Sequence, residues 1–271
     1  MINAISVDLE DWFCVRNLSG AIGAEDWGRC ELRIAESARR LLEILDRHGT
    51  KATFFVLGWV AERAPELIRE ICREGHEIAT HGHSHTPVTD MTPEAFEEDL
   101  KRSLGAIGGL VRQDILGYRA PSFSIVGETL WAVDILARNG IRYDSSIFPV
   151  SFHPDYGYEG VPLGPHSMRG LVEFPLSVVR AGGKSIPCSG GGYFRLMPYG
   201  IFKRLVGRVN SEGRPHVFYI HPWELDPGQP RVPLPVLKRF RHYCNLENTE
   251  GKLERLLGDF EFAPMKEVLG L

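Results

Sequence analysis

The chain alternates short β-like runs with amphipathic helical segments along most of its 271 residues, and this alternation restricts its fold more than any other feature. Ala4-Ile5-Ser6-Val7-Asp8 is the first run, and residues 34–48 follow with Ala38, Leu41, Leu42 and Leu45 at helical spacing. Ala52-Thr53-Phe54-Phe55-Val56-Leu57 reads as a buried strand, 65–74 as a helix closed by Gly75, and Glu77-Ile78-Ala79-Thr80 as the next strand. Thr92-Pro93-Glu94 has the N-cap, the N1 proline and the first-turn acid of a helix running to about residue 107. Ile115-Leu116-Gly117-Tyr118-Arg119 is strand-like, 127–138 helical, and Ile141-Arg142-Tyr143 strand-like again. The Pro- and Gly-rich stretch 150–198 holds Leu171-Val172-Glu173-Phe174 and Ser177-Val178-Val179; 198–209 is helical, and His216-Val217-Phe218-Tyr219-Ile220 is the last strand. Repeated βα units build parallel sheets with right-handed crossovers. No Gly-rich phosphate loop follows any strand, which favours closure into a barrel over an open doubly wound sheet. The length suits one barrel-sized domain or two smaller ones.

Composition removes several classes of function. A formal net charge of -4 offers no electrostatic case for nucleic acid or an anionic membrane, and local basic runs such as Lys238-Arg239-Phe240-Arg241 are too short to change that and read as a solvated face. No apolar run approaches the ~20 residues of a membrane span. The first residues lack the basic and long apolar regions of a signal peptide, so the expected location is cytoplasmic. Five cysteines (Cys14, Cys30, Cys72, Cys188, Cys244) without a CxxC pair fit reduced thiols better than a disulfide framework or a thiolate metal site. Oligomeric state leaves no trace in the sequence.

Chemistry concentrates in two places. His81-Gly82-His83-Ser84-His85 follows a strand, and on a helical turn His81 and His85 would project from one side while His83 faces away, to the surface or behind the ligands. Asp8-Leu9-Glu10-Asp11 ends the first strand; in extended chain Asp8 and Glu10 share a face, and Asp11 joins them only through a turn or bulge. Two imidazoles and a carboxylate are the donor set of a catalytic divalent metal site, which points to metal-assisted hydrolysis. In a barrel, catalytic residues collect at the C-terminal strand ends, and Asp8, His81, Arg119, Asp144 and His221 all fall at such ends.

With Arg119-Ala120-Pro121-Ser122, Asp144-Ser145-Ser146-Ile147-Phe148 and Tyr219-Ile220-His221-Pro222-Trp223-Glu224, these segments resemble, in order, the five motifs of the polysaccharide deacetylase family, the NodB-homology domain. The resemblance runs from Ile5 to about Glu224. Val7-Asp8-Leu9-Glu10-Asp11-Trp12, Gly190-Gly191-Gly192-Tyr193-Phe194-Arg195 and the tail after His221 are similar to the subgroup found in exopolysaccharide biosynthesis loci. The family resemblance implies a distorted (β/α)7 barrel over residues 1–271, with 225–271 a C-terminal extension packed on it. It also implies a hydrolase that removes N-acetyl groups from amino sugars of a polysaccharide or its precursor. The implied cofactor is a divalent metal, zinc first, with cobalt, nickel or iron admitted by the same donors.

Residue roles follow from the same resemblance. Asp8 is the base, and the metal is held by His81, His85 and a carboxylate, Glu10 with Asp11 as its rival. Arg119 orients Asp8 and keeps it ionised, and the Ser122 N–H takes the oxyanion position. His221 is the general acid, with Asp144 holding it protonated. Phe148 and Tyr219 shape the acyl pocket, and Trp223, Trp12, Trp59 and Phe123 are candidate sugar platforms. The glycine run lets Tyr193 and Phe194 reach a sugar or simply makes a sharp turn. The chain departs from the family in reading Asp-x-Glu-Asp in place of adjacent aspartates, and in having Ser122, Phe148 and Tyr219 at positions usually aromatic, tryptophan and leucine. An allantoinase-like hydrolase of a cyclic amide and a non-catalytic saccharide-binding module are the competing readings.

Overall fold

The alternation becomes a single curled sheet. The structure, a computed structural model, describes residues 1–150 and 157–271. Its strands are β1 (Asn3–Leu9), β2 (Thr53–Val56), β3 (Glu77–Thr80), β4 (Gly117–Tyr118), β5 (Tyr143–Asp144), β6 (His166–Met168), β7 (Leu171–Glu173), β8 (Val178–Ala181), β9 (Lys184–Pro187), β10 (Val217–Ile220) and β11 (Phe262–Ala263). The helices are α1 (Ile34–Arg47), α2 (Gly58–Arg63), α3 (Pro65–Arg73), α4 (Pro93–Gly108), α5 (Trp131–Arg138), α6 (Gly191–Leu196), α7 (Tyr199–Ser211), α8 (Val236–Tyr243), α9 (Thr249–Asp259) and α10 (Met265–Leu269).

The sheet order is β10-β1-β2-β3-β4-β5-β7-β6, parallel from β10 to β7, with β6 antiparallel on one edge and β11 a second partner of β1. Among the described strands the edges β6 and β10 do not pair, so the seven parallel strands form a distorted, incompletely closed barrel. The period-two alternation of each strand sorts its side chains. Ile5, Val7, Leu9, Phe54, Val56, Ile78, Phe218 and Ile220 face the helices in one core. Ala4, Phe55, Ala79, Tyr143, Val217 and Tyr219 fill the barrel interior with Phe148 and Phe174. α9 seals the outer core with Leu253, Leu256 and Leu257, and Met265 of α10 enters the interior.

The helices begin where the caps stand. Thr92 Oγ1 accepts the Ala95 N–H at 3.3 Å to start α4. The start of α1 is capped from a distance, as Asp11 Oδ2 accepts the N–H groups of Arg33 and Ile34 at 2.9 and 3.0 Å. The expected strands 115–119 and 141–143 shrink to two residues each. At Gly117 the Tyr143 ring lies where any Cβ would be, 2.2 Å away, so this crossing admits only glycine. The expected helix 127–138 divides, because Thr129 Oγ1 donates to Ser124 O and accepts from Val126 N, holding a separate 3-10 turn before α5.

Candidate active site

Four strand ends deliver polar side chains to the C-terminal rim of the sheet. Asp8 lies near the end of β1, and the chain then tightens, with Glu10 N–H bonding Asp8 O at 3.0 Å. His81 follows β3, Arg119 follows β4 and His221 follows β10. The segment 81–85 is a tight loop, not the helical turn that the spacing suggested, and Gly82 (φ 72°) and His85 (φ 57°) both take left-handed backbone. Asp99 of α4 clamps this loop by accepting the His83 and Ser84 N–H groups at 2.7 and 3.0 Å. The outcome still turns His81 and His85 toward each other, ring centroids 5.3 Å apart, and sends His83 away to Glu62 at 3.0 Å.

Glu10, His81 and His85 offer donor atoms that all lie within 4.8 Å of one another. His81 Nδ1 bonds Arg119 O at 2.8 Å, which leaves its Nε2 lone pair free, and burial holds its pKa down to about 4. Glu10 Oε2 is buried without a hydrogen-bond partner although His85 Nε2 is 2.7 Å away. Two imidazoles and a buried carboxylate with donor atoms this close fit a divalent cation. Burial raises the Glu10 pKa, but His85, His221 and His81 more than reverse this and hold it at about 2. Asp11, the rival carboxylate, points elsewhere: its oxygens are taken by the N–H groups of Trp12, Arg33 and Ile34, and burial pushes its pKa up to about 6.

Asp8 is gripped by Arg119. The guanidinium Nη1 donates to Asp8 Oδ1 at 2.7 Å and to Ser6 Oγ at 2.8 Å, while Nε and Nη2 donate to Ser145 O and Oγ, each at 3.0 Å. Arg119 is fully buried and lies over the Phe55 ring at 4.2 Å, so it has one orientation. On the other side, His221 Nε2 faces Glu10 Oε1 at 3.2 Å and Asp8 Oδ2 at 3.8 Å.

The partner of His221 Nδ1 is Glu224 Oε1 at 2.8 Å, in place of the expected Asp144. Glu224 is in turn bound by Arg195 Nε at 2.6 Å. Burial lowers the His221 pKa, yet Glu224, Glu10 and Asp8 together raise it to about 9. Asp144 faces the next strand: it accepts the Ser146 hydroxyl at 2.5 Å and shares a hydrogen bond with Glu173, and burial raises both carboxyls. Glu224 and Arg195 stood inside the quoted motifs, and His-x-x-Glu spacing across a proline-started turn was the available signal for the first. Nothing local marks Arg195, which reaches Glu224 from α6.

Ser122 sits just past Arg119 in left-handed backbone (φ 56°). Phe123, Phe148 and Tyr219 meet edge to face, with centroids 5.7 Å apart for Phe123–Phe148 and 5.0 Å for Phe123–Tyr219, and line the interior below the rim. Trp223 has no face left for a sugar, because His221 stacks on one side at 5.2 Å and His242 stacks on it at 4.6 Å. Trp12 and Trp59 are likewise packed, the latter beneath Arg63 at 3.8 Å. The glycine run serves close approach: at Gly190 (φ 141°) a Cβ would lie 2.0 Å from Tyr219 O.

These features define an α/β barrel with a candidate metal site at its rim, and comparison shows what it is similar to. Residues 26–143 match the profile described as polysaccharide deacetylase, and residues 145–270 match a domain of unknown function, DUF3473. Residues 26–143 are thus similar to polysaccharide deacetylases. The chain is 33% identical over 126 residues to a peptidoglycan deacetylase-like protein of Gibberella zeae, covering 46% of this chain and 36% of that protein. It is 32% identical over 117 residues to a peptidoglycan deacetylase of Helicobacter pylori, covering 43% and 39%. The chain thus spans less than half the length of these relatives. The fold is that of a candidate polysaccharide deacetylase from Mycobacterium smegmatis, with TM-score 0.62 at 20% identity, covering 99% of this chain and 90% of that one. The two profile matches meet inside the sheet at β5, since β2, β3 and β4 lie in the first matched segment and β7 in the second.

Proposed function

We propose that this chain is a metal-dependent hydrolase that removes N-acetyl groups from the amino sugars of a polysaccharide or its precursor. The observation that carries this reading is the convergence, on one rim, of the Glu10–His81–His85 donors, the Asp8–Arg119 pair and the His221–Glu224 pair. The likeness to peptidoglycan deacetylases supports the substrate class.

A divalent cation held by Glu10, His81 and His85, with zinc the first choice for these donors, would supply Lewis-acid polarisation and a more acidic water. Arg119 takes Asp8 Oδ1, which leaves Oδ2 to accept a proton from the water that attacks the acetyl carbonyl. The backbone beside Ser122 is the chain's donor toward the developing oxyanion. Glu224 fixes the His221 tautomer and favours the imidazolium, so Nε2 carries the proton to be delivered. When the C–N bond breaks, that proton goes to the departing nitrogen, which is too basic to leave as an anion. The products are acetate and a free amine. Phe148 and Tyr219, at the interior wall, shape the site for a small acyl group.

The test is acetate release from N-acetylglucosamine oligomers and from nucleotide-linked N-acetyl sugars by wild type and Asp8→Asn. Release by the wild type alone supports the reading. Glycan binding by an inactive wild type would move the assignment to a saccharide-binding module, and turnover of cyclic amides only would move it to the allantoinase-like class.

A further inference from the structure

Helix α8 turns its apolar side away from the protein. Val236 is 75% exposed, Leu237 61% and Phe240 56%, whereas His242 is fully buried. At 3.6 residues per turn, Val236, Leu237 and Phe240 share one arc of the helix and His242 lies on the opposite side. Arg239 and Arg241 border the apolar arc on its two sides, Lys238 lies further round, and the helix contains no acid. A helix that serves the core has the reverse arrangement, with its apolar stripe inward. An outward stripe edged by cations is the pattern of a helix that lies in the headgroup region of an anionic bilayer.

The charge distribution favours lipid over a second copy of the chain. A twofold contact would set one basic patch against its own image. The chain as a whole is negative (formal charge -4), so an anionic surface would repel most of the molecule and attract this face, which fixes an orientation. None of the described helices is long and apolar enough to cross a membrane, so the contact is with a surface.

The base of the helix is firmly held. Arg195 donates to the carbonyls of Arg241, His242 and Cys244 at 3.0, 2.9 and 2.8 Å, and His242 stacks on Trp223, which stacks on His221. A docked α8 would therefore place the catalytic rim in a set relation to the surface. We propose that α8 docks this protein on an anionic lipid surface, with Val236, Leu237 and Phe240 inserted and Arg239 and Arg241 among the headgroups.

The experiment is co-sedimentation of the full chain with phosphatidylcholine vesicles, with and without an equal share of phosphatidylglycerol. It does not depend on the proposed activity. Wild type should bind the anionic vesicles at least tenfold more tightly than the neutral ones. Leu237→Glu with Phe240→Glu, and separately Arg239→Glu with Arg241→Glu, should each lose at least tenfold, since one basic residue at such a surface is worth roughly fivefold. Hydrolysis of soluble oligomers and the melting temperature should stay as in wild type, because all four side chains are exposed. Equal binding to both vesicle types, no binding, or variants that bind like wild type would overturn the proposal. So would a Leu237→Glu/Phe240→Glu protein that merely converts a dimer to a monomer, which would assign the face to a second copy.

Discussion

His221 is held by Glu224, three residues further on: Nδ1 and Oε1 are 2.8 Å apart, and the same oxygen accepts the His221 backbone N–H at 3.1 Å. One carboxylate oxygen thus fixes both the ring and the main chain of the candidate acid. The other oxygen is bound by Arg195, and Glu224 keeps a pKa of about 2 although burial raises it, because Arg195 and His221 overcome that cost. Glu224→Gln keeps the shape but removes the charge that favours the imidazolium. It should lower kcat by about 10–100-fold with little change in KM, as measured by steady-state acetate release.

Asp8 and the metal donors can be separated experimentally. Asp8→Asn should reduce kcat by about 10²–10⁴-fold while metal content stays at the wild-type level, since Asp8 lies outside the Glu10–His81–His85 donor group. His85→Ala should lose the metal and the activity together. Elemental analysis beside kinetics on both variants distinguishes the roles, and an Asp8→Asn protein that has lost its metal would contradict the assignment.

Arg195 is almost fully buried and serves Glu224 and three carbonyls at the end of α8. Arg195→Met leaves the Glu224 charge buried without its partner, a loss on the order of 3–5 kcal/mol. Denaturant unfolding should show a midpoint shift of that size, while exposed pairs such as Arg169–Asp134 should give less than about 1 kcal/mol when broken.

His216 gives a pH signature. Burial holds its pKa down to about 4, against 6.5 ordinarily, and its Nε2 bonds Cys188 O at 2.7 Å. The unfolded chain binds the proton first, so the neutral ring contributes its full stability above pH 6.5 and loses it as the pH falls toward 4. The loss between pH 7 and 5 is on the order of 2 kcal/mol, or roughly 4–8 °C in Tm. Asp144 and Glu173, whose pKa values are raised, act in the opposite sense, so the informative quantity is the difference between proteins. His216→Gln should show a smaller fall in Tm between pH 7 and 5 than wild type, and an identical fall would reject the argument.

The strands and helices near the N-terminus were legible because each carries its own signal. Leu41, Leu42 and Leu45 mark α1, and Thr92-Pro93 marks the start of α4 to the residue. β4 and β5 were overextended, since the Tyr143 ring over Gly117 is a contact between distant segments. The site was legible in its residue types but not in its pairings. His81 and His85 meet through left-handed backbone that Asp99 secures from α4, not through a helical period. Likewise Asp11 caps α1 and Asp144 pairs with Glu173, both choices made by the tertiary fold.

The most direct measurement is metal content together with acetate release, on purified protein offered N-acetylglucosamine oligomers, before and after chelation. The account predicts about one divalent ion per chain, loss of acetate release on chelation, and recovery when zinc is restored. A protein that holds no metal, or one whose acetate release is indifferent to chelation, would contradict the Glu10–His81–His85 assignment.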